Sequence, residues 1–262
     1  MELRLYQVDA FTGAVFKGNP AAVVPLPSWP ADRLLQAIAM ENNLSETAFY
    51  VGASGNYELR WFTPLCEVDL CGHATLATAA VLCTEEERGL KEARFSTRSG
   101  ELRVRALEDT YELDFPSKPP RLCEHPPQAL LDGLGIAPRE VYQVDDWMAV
   151  YDNEEQVRAL NPDMRLLRSL SLRGVIATAP GKEADFVSRF FAPAVGIDED
   201  PVTGSAHCLL TPFWSTRLGK QDLFAQQLSR RGGTLHCTLQ GDRVLIAGRC
   251  ALYLRGSIFV KE

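Results

Sequence analysis

Two short polar stretches have residue types that could do chemistry, and each leads into a small-residue segment. They are Asp69–Ala74 and Asp200–His207. In the second stretch Pro201 fixes the backbone, Gly204 permits close approach, and Ser205 is predicted to cap the first N–H groups of a helix. Because those N–H groups bind anions, each stretch predicts an anion-binding helix start. Two such starts in one chain suggest one site that is built twice.

The polar residues near these stretches also have ordinary structural interpretations. Glu46 begins a strand and is either a solvated carboxylate or a general acid and base. His73 could be held by a backbone carbonyl, Ser205 could be only a helix cap, and Asp200 could be only a turn former before a proline. Cys71 favours a small core residue, because no basic neighbour activates its thiol. The residues alone leave these alternatives open.

The sequence carries no complete metal or cofactor motif. Cys71 and His73 offer two ligands, but no second clustered pair supports zinc. A dinucleotide fingerprint, a phosphate-binding loop with Gly-Lys-Ser/Thr, and a Gly-x-Ser-x-Gly nucleophile elbow are all absent from the sequence. We therefore expect no metal and no cofactor, which leaves proton chemistry.

Composition excludes several classes of protein. The chain has 262 residues, a net charge of −7, 46% hydrophobic residues and 23% charged residues, which is typical of a globular protein. Its only dense basic cluster is Arg230-Arg231, so nucleic-acid binding is not expected. The absence of a signal peptide and of an apolar run of about 20 residues predicts no membrane segment and a cytoplasmic location. The seven cysteines show no disulfide spacing and are expected to be reduced.

Hydrophobic periodicity predicts strands interrupted by a few helices. One helix is predicted over Ala31–Asn43, a helix that is apolar on all sides over His73–Cys83, and a second apolar helix over Ala206–Leu218. The proline-rich stretch Pro116–Pro127 is the best candidate for a linker.

The sequence also repeats itself in a fixed order, at offsets of 136, 129 and 132 residues. The matching segments are Tyr6–Asp9 with Tyr142–Asp145, Arg60–Pro64 with Arg189–Pro193, and Gly72–Ala74 with Gly204–Ala206. Near-constant offsets indicate an internal duplication. We therefore predict an α+β fold of two pseudo-symmetric halves, each a curved antiparallel sheet around a buried helix, with a site in the cleft between them.

Several motifs occur in a fixed order along nearly the whole chain. They are Asp9–Phe11, Phe16–Val23, Asn43–Phe49, Leu59–Pro64, Leu70–Thr75, Glu199–Ala206 and Arg231–Gly233. Together these motifs resemble the PhzF-like, or phenazine biosynthesis-like, family of the diaminopimelate epimerase superfold.

The resemblance implies a domain division and a set of functional residues. The N-terminal half would be residues 1–117 with 256–262, the last strand returning to the first, and the C-terminal half residues 118–255. Glu46 matches the glutamate that moves a proton in the phenazine isomerase without a cofactor. The other matched catalytic positions are His73, Asp200 and Ser205, and the substrate-binding positions are Asn19, Cys71, Gly72, Thr203 and Gly204. A small anionic substrate and a homodimer are also implied.

The chain departs from its cysteine-dependent relatives at one position. The epimerase and proline racemase relatives use two opposed cysteines, whereas this chain has Cys71 in the first position and Thr203 in the second. This difference favours glutamate-based isomerisation. The alternatives are a cysteine-based epimerase and a small-anion binding protein that has lost turnover.

Overall fold

The computed structural model describes residues 1–260, whose contacts separate two compact units. The first unit is Met1–Asp114 together with the segment that begins at Ala247, and the second is Phe115–Ile246. The domain bounds at 117/118 and 255/256 stay a prediction, and Lys261 and Glu262 lie outside the described residues. None of the helices within residues 1–260 has the length and apolar composition needed to cross a membrane.

The chain forms strands and helices in the following order. The elements up to residue 116 are β1 (Glu2–Ala10), β2 (Asn19–Pro25), α1 (Asp32–Asn42), β3 (Glu46–Ala53), β4 (Asn56–Phe62), β5 (Glu67–Val68), α2 (Gly72–Val81), a π-helical turn (Leu82–Glu86), β6 (Glu92–Thr97), β7 (Gly100–Ala106) and β8 (Tyr111–Pro116). Those that follow are β9 (Arg121–Leu122), α3 (Gln128–Leu134), β10 (Glu140–Gln143), β11 (Trp147–Val150), α4 (Glu154–Ala159), α5 (Met164–Arg168), β12 (Val175–Pro180), β13 (Phe186–Ala192), a 3₁₀ turn (Pro193–Val195), β14 (Ile197–Asp200), α6 (Gly204–Leu218), β15 (Asp222–Gln227), β16 (Gly233–Gln240), β17 (Arg243–Gly248) and β18 (Cys250–Phe259).

Strand pairing follows the same pattern in both units. In the first, β2–β3 and β4–β6 are parallel pairs, while β3–β4 and β6–β7 are antiparallel. In the second, β11–β12 and β13–β15 are parallel, while β12–β13 and β15–β16 are antiparallel. The short strands β5 and β14 pair with β4 and β13 and lead into α2 and α6. The mostly antiparallel α+β fold is confirmed, with parallel pairs that the periodicity did not predict.

The last strand of the described chain returns to the first, as the resemblance implied. Strand β18 pairs with β1 in antiparallel register from Glu2 opposite Phe259 to Ala10 opposite Cys250. Since β1 also pairs with β2, this arrangement fixes the strand from which Asn19 projects.

Helix α1 covers one face of the first unit's sheet. Leu35 and Ile38 pack there against Phe49 and Phe62 in one apolar cluster. Successive side chains of a strand point to opposite faces. Glu46, three residues before Phe49 on β3, therefore lies on the face of the sheet opposite α1.

Helix α2 is buried on all sides, and the hydroxyl groups of its two threonines bond to carbonyls one turn earlier. Every residue from His73 to Val81 is buried. The Thr75 hydroxyl donates to the Cys71 carbonyl at 2.6 Å, and the Thr78 hydroxyl donates to the Ala74 carbonyl at 2.7 Å. These back-bonds satisfy hydroxyl groups that would otherwise be costly in an apolar interior. The predicted helix over His73–Cys83 is thus correct, and it begins one residue earlier, at Gly72.

Helix α6 contains an internal proline. Pro212 has no N–H group, so it cannot bond the carbonyl of Cys208 one turn earlier. The backbone N–H of Lys118 donates to that carbonyl instead, at 2.9 Å. The proline-rich stretch predicted as a linker therefore also satisfies a helix carbonyl.

Gly18 makes the turn that delivers Asn19 into β2. Its φ is +61°, and a Cβ added there would lie 2.1 Å from the Ala10 carbonyl oxygen and 2.7 Å from Thr12 Cγ2. Only glycine fits this approach of backbone to backbone.

We expect Gly18→Ala to lower the free energy of unfolding by about 2 to 4 kcal/mol, through a left-handed backbone and a steric clash. The matched control is Gly219→Ala, where φ is +65° and no atom lies within 4 Å of the added Cβ. It should cost only about 1 kcal/mol, the backbone contribution. Urea unfolding of both variants measures the difference, and equal losses would contradict the steric argument.

Candidate active site

The first polar cluster lies where β2, β3 and α2 begin. Strands β2 and β3 are parallel, with Glu46 opposite Ala21. Asn19 is two residues before Ala21 and so shares the face of the sheet with Glu46. Helix α2 begins at Gly72, and its next residue is His73. The strand register and the helix start together bring three predicted site residues into contact.

The imidazole of His73 is the centre of this cluster. Its Nε2 lies 3.2 Å from Glu46 Oε2. Its Nδ1 lies 3.2 Å from the amide nitrogen of Asn19 and 3.5 Å from Cys71 Sγ. An amide nitrogen can only donate, so Nδ1 accepts and the ring proton is on Nε2, facing Glu46. The angle at Nε2 is not that of a formed hydrogen bond, although the distance is close.

Burial keeps His73 neutral. The residue is 5% exposed, and desolvation lowers its pKa from 6.5 to about 3. The close contact with Glu46 is therefore between a carboxyl group and a neutral imidazole and is not a salt bridge at neutral pH. Glu46, with a side chain 12% exposed, is also largely shielded from water.

The same cluster offers three donor atoms to a metal ion. One ligand atom each from Glu46, Cys71 and His73 lies within 4.8 Å of the others. The sequence reading counted only Cys71 and His73, so Glu46 is an additional candidate ligand. The ring presents Nδ1 to Cys71 and Nε2 to Glu46, and one ion binds only one ring nitrogen. The expectation of no metal stays a prediction.

The second polar cluster lies in the other unit, at the start of α6. Thr203 precedes the helix, and its hydroxyl donates to Asp200 Oδ2 at 2.5 Å. Gln227, at the end of β15, accepts from the Thr203 N–H at 2.8 Å and donates to the Asp200 carbonyl at 2.8 Å. Gln227 is 1% exposed, so it is a buried clamp on this turn. The sequence reading did not identify it.

Ser205 does not cap the helix, and this corrects the sequence prediction. Helix α6 begins at Gly204, which makes Ser205 its second residue. Its Oγ accepts from Arg173 Nη2 at 3.0 Å. Arg173 in turn holds Asp146 through Nε at 3.0 Å and Nη2 at 2.6 Å.

The internal repeat contained a signal for Arg173. Strand β12 begins at Val175 and β3 at Glu46, an offset of 129 residues that equals the offset of the Arg60 repeat. Arg173 therefore lies two residues before the counterpart of Glu46. Extending the repeat to this strand would have drawn attention to it.

Neither buried helix has a side-chain cap at its first turn. Cys71 precedes α2 and Thr203 precedes α6, and neither side chain bonds a helix N–H group. The first N–H groups of both helices are therefore not used by a capping side chain, as an anion site requires. Gly72 and Gly204 are the first helical residues.

The predicted site residues thus fall into two groups. Glu46, His73, Cys71 and Asn19 lie together in the first unit. In the second unit, Asp200 bonds Thr203, and Ser205 lies two residues further along the helix. That both groups serve one reaction stays a prediction.

Comparison with known proteins gives the family. A family model described as phenazine biosynthesis-like protein matches residues 8–256. The chain belongs to the phenazine biosynthesis-like protein family. An uncharacterized isomerase of Pseudomonas aeruginosa is 55% identical over 258 residues, which cover 98% of this chain and 99% of that protein. A crystal structure of a PhzF-family phenazine biosynthesis protein from Enterococcus faecalis is 46% identical, with a TM-score of 0.96 and coverage of 99% of this chain and 100% of that one.

More distant members and folds agree with this assignment. The phenazine biosynthesis-like domain-containing protein of Homo sapiens is 38% identical over 302 residues, covering 98% of this chain and 99% of that protein. A hydroxyproline epimerase from Agrobacterium vitis has a TM-score of 0.63 at 11% identity, a likeness of fold alone that covers 98% of this chain and 92% of that one. The predicted family, the fold and membership of an isomerase group are confirmed. The substrate class and the mechanism are not.

Two buried histidines predict how stability depends on pH. Burial lowers the pKa of His73 to about 3 and that of His207 to about 4, both from 6.5. Between pH 6.5 and about 4 the unfolded chain binds protons that the folded chain does not. The free energy of unfolding therefore decreases as the pH is lowered through this window, by about 1.4 kcal/mol per pH unit for each histidine.

We expect His207→Gln to make the free energy of unfolding less dependent on pH, because one of the two histidines that bind a proton only in the unfolded chain is removed. Urea unfolding at several pH values between 6.5 and 4.5 measures the slope. The matched control is His236→Gln, at an exposed position of the same unit. A His207→Gln variant that keeps the wild-type slope would contradict the buried neutral state.

Proposed function

We propose that this protein is an isomerase that moves a proton between two carbon atoms of a small carboxylated metabolite, without a cofactor. Glu46 is the general acid and base. The observation that carries the proposal is the shielded Glu46 carboxyl group, 3.2 Å from the neutral imidazole of His73. A positioned carboxyl group that keeps some access to water can accept a proton from one carbon, exchange it with solvent and give a proton to another carbon.

The reaction has two balanced steps. Glu46 first accepts a proton from carbon, and the electron pair of the broken C–H bond moves into the conjugated carboxylate of the substrate. The protonated Glu46 then gives the proton to a different carbon, where the electron pair forms the new C–H bond. Substrate and product are isomers, so no oxidant or reductant is consumed. His73 stays neutral beside the carboxyl group in both steps, with its Nε2 3.2 Å from Glu46 Oε2.

The developing negative charge needs donors that are already in place. The uncapped first turns of α2 and α6, at Gly72 and Gly204, support this role because their N–H groups carry partial positive charge. The hydrogen bond from the Thr203 hydroxyl to Asp200 supports a role of the Asp200 carboxyl group in proton transfer.

A cysteine-based epimerase is the second candidate, favoured by one contact. Cys71 Sγ lies 3.5 Å from His73 Nδ1, and the ring could accept the thiol proton there once Nδ1 releases the hydrogen bond from Asn19. The second thiol of such a mechanism is missing, because the hydroxyl of Thr203 occupies the equivalent position and donates to Asp200. The glutamate mechanism requires no second thiol.

Proton exchange with solvent tests the proposal. A panel of small carboxylic acids would be incubated with the protein in deuterated water, and deuterium incorporation would be measured by mass spectrometry. We expect exchange into at least one acid with the wild type, and a rate at least about 100-fold lower with Glu46→Gln. The control is Glu101→Gln, an exposed glutamate of the same unit.

The outcomes separate the candidates. Wild-type exchange by Glu46→Gln would refute the role of Glu46. A Cys71→Ala variant that loses as much activity as Glu46→Gln would favour the cysteine mechanism. Saturable binding of an acid without any exchange would favour the non-catalytic binding protein.

The homodimer is part of the same proposal. Strand β18 exposes Leu252, Tyr253, Leu254 and Phe259, an apolar group that a second copy would cover. The molar mass in solution tests it.

A further inference from the structure

The side chain of Arg173 combines a fixed position with an exposed head. The fully buried carboxylate of Asp146 accepts from its Nε and Nη2. The guanidinium also packs over the ring of Phe190, 5.1 Å from its centroid. The arginine side chain nevertheless remains 42% exposed.

The local backbone is adapted to this placement. Gly174 follows Arg173, and a Cβ on it would lie 2.6 Å from the Phe190 ring. Any larger residue would displace the ring on which the guanidinium packs. Gly174 thus leaves room for the Phe190 ring under the guanidinium, and Asp146 holds the guanidinium by two hydrogen bonds.

Three of the five N–H groups of the guanidinium donate to Asp146 and Ser205, which leaves the two on Nη1. Nε and one N–H of Nη2 bind Asp146, and the second N–H of Nη2 binds Ser205 Oγ at 3.0 Å. Among residues 1–260 no group accepts from Nη1 of Arg173. Because Ser205 Oγ accepts from Arg173, its own O–H is directed elsewhere and is also available as a donor.

These donors lie beside the first turn of α6. Ser205 is the second residue of that helix, whose N–H groups are not used by a capping side chain. A planar guanidinium edge with a hydroxyl next to it matches the two oxygens of a carboxylate. We propose that Arg173 and Ser205 form a subsite that binds a carboxylate. This subsite rests on the proposed function and specifies its ligand.

A structural ion pair is the competing explanation, and the exposure argues against it. If Arg173 served only to neutralise Asp146, two N–H groups would suffice and the head could be buried. Instead the carboxylate is buried and the cation faces outwards. In this arrangement the Asp146 carboxylate holds the Arg173 guanidinium in position to bind a ligand.

Direct binding tests the subsite without turnover. Benzoate and succinate serve as probes, with benzamide and succinamide as uncharged counterparts. Binding would be followed through the Nε–H resonance of Arg173 and the backbone amide of Ser205 in NMR titrations. The measurements use the Glu46→Gln protein, so that binding is read separately from catalysis.

The variants must leave no unpaired charge at Asp146. The double variant Asp146→Asn/Arg173→Gln therefore removes both charges together. We expect it to weaken carboxylate binding at least 10-fold, and Arg173→Lys to weaken it as well, because lysine has no planar fork. Arg165→Gln, an exposed arginine of the same unit, is the control and should bind like the parent.

The possible results are distinct. Carboxylate binding that is lost with the double variant and absent for the amides supports the subsite. Undiminished binding by the double variant, equal binding of benzamide, or no binding of either acid by the parent overturns it. Tighter binding of inorganic phosphate than of either acid also overturns it. Exchange activity in Glu46→Gln would refute the proposed function and leave this result unaffected.

Discussion

Burial of the His73 imidazole is the constraint on which the chemistry of the first unit depends. Removed from water, the ring stays neutral and has one protonated nitrogen and one acceptor. Asn19 Nδ2 donates to Nδ1, which assigns the proton to Nε2, on the side of Glu46. Were the ring charged, Glu46 would be the anion of an ion pair and a weaker base for a carbon acid. The depth of α2 in the unit thus determines what Glu46 can do.

The duplicated strand order supplies two similar frames for different side chains. The same sequence of parallel and antiparallel pairs leads through a short strand into a buried helix in each unit. The first frame presents Cys71 and His73, and the second presents Thr203 and Ser205. Pairing is determined by backbone and apolar pattern, so the polar residues at the helix starts can diverge without loss of the fold.

Part of this structure followed from the sequence, because its signals are local or repeated. The small-residue run after His73 predicted a buried helix, and the repeat predicted two equivalent halves. Ser205 was wrongly expected to be a helix cap, because the pattern of residues does not determine whether a helix begins one or two residues earlier. Gln227 was missed because its role depends on a contact with Thr203 made 24 residues away. Arg173 was missed because its partner Asp146 lies 27 residues away.

The protonation of His73 in the folded protein is the most direct test of this account. Protein labelled with ¹⁵N-histidine would be examined at about pH 7 by long-range ¹H–¹⁵N correlation, with His73→Gln used to assign the signal. The account predicts a neutral ring with a protonated Nε2 and an unprotonated Nδ1. A doubly protonated ring, or a proton on Nδ1 alone, would contradict it.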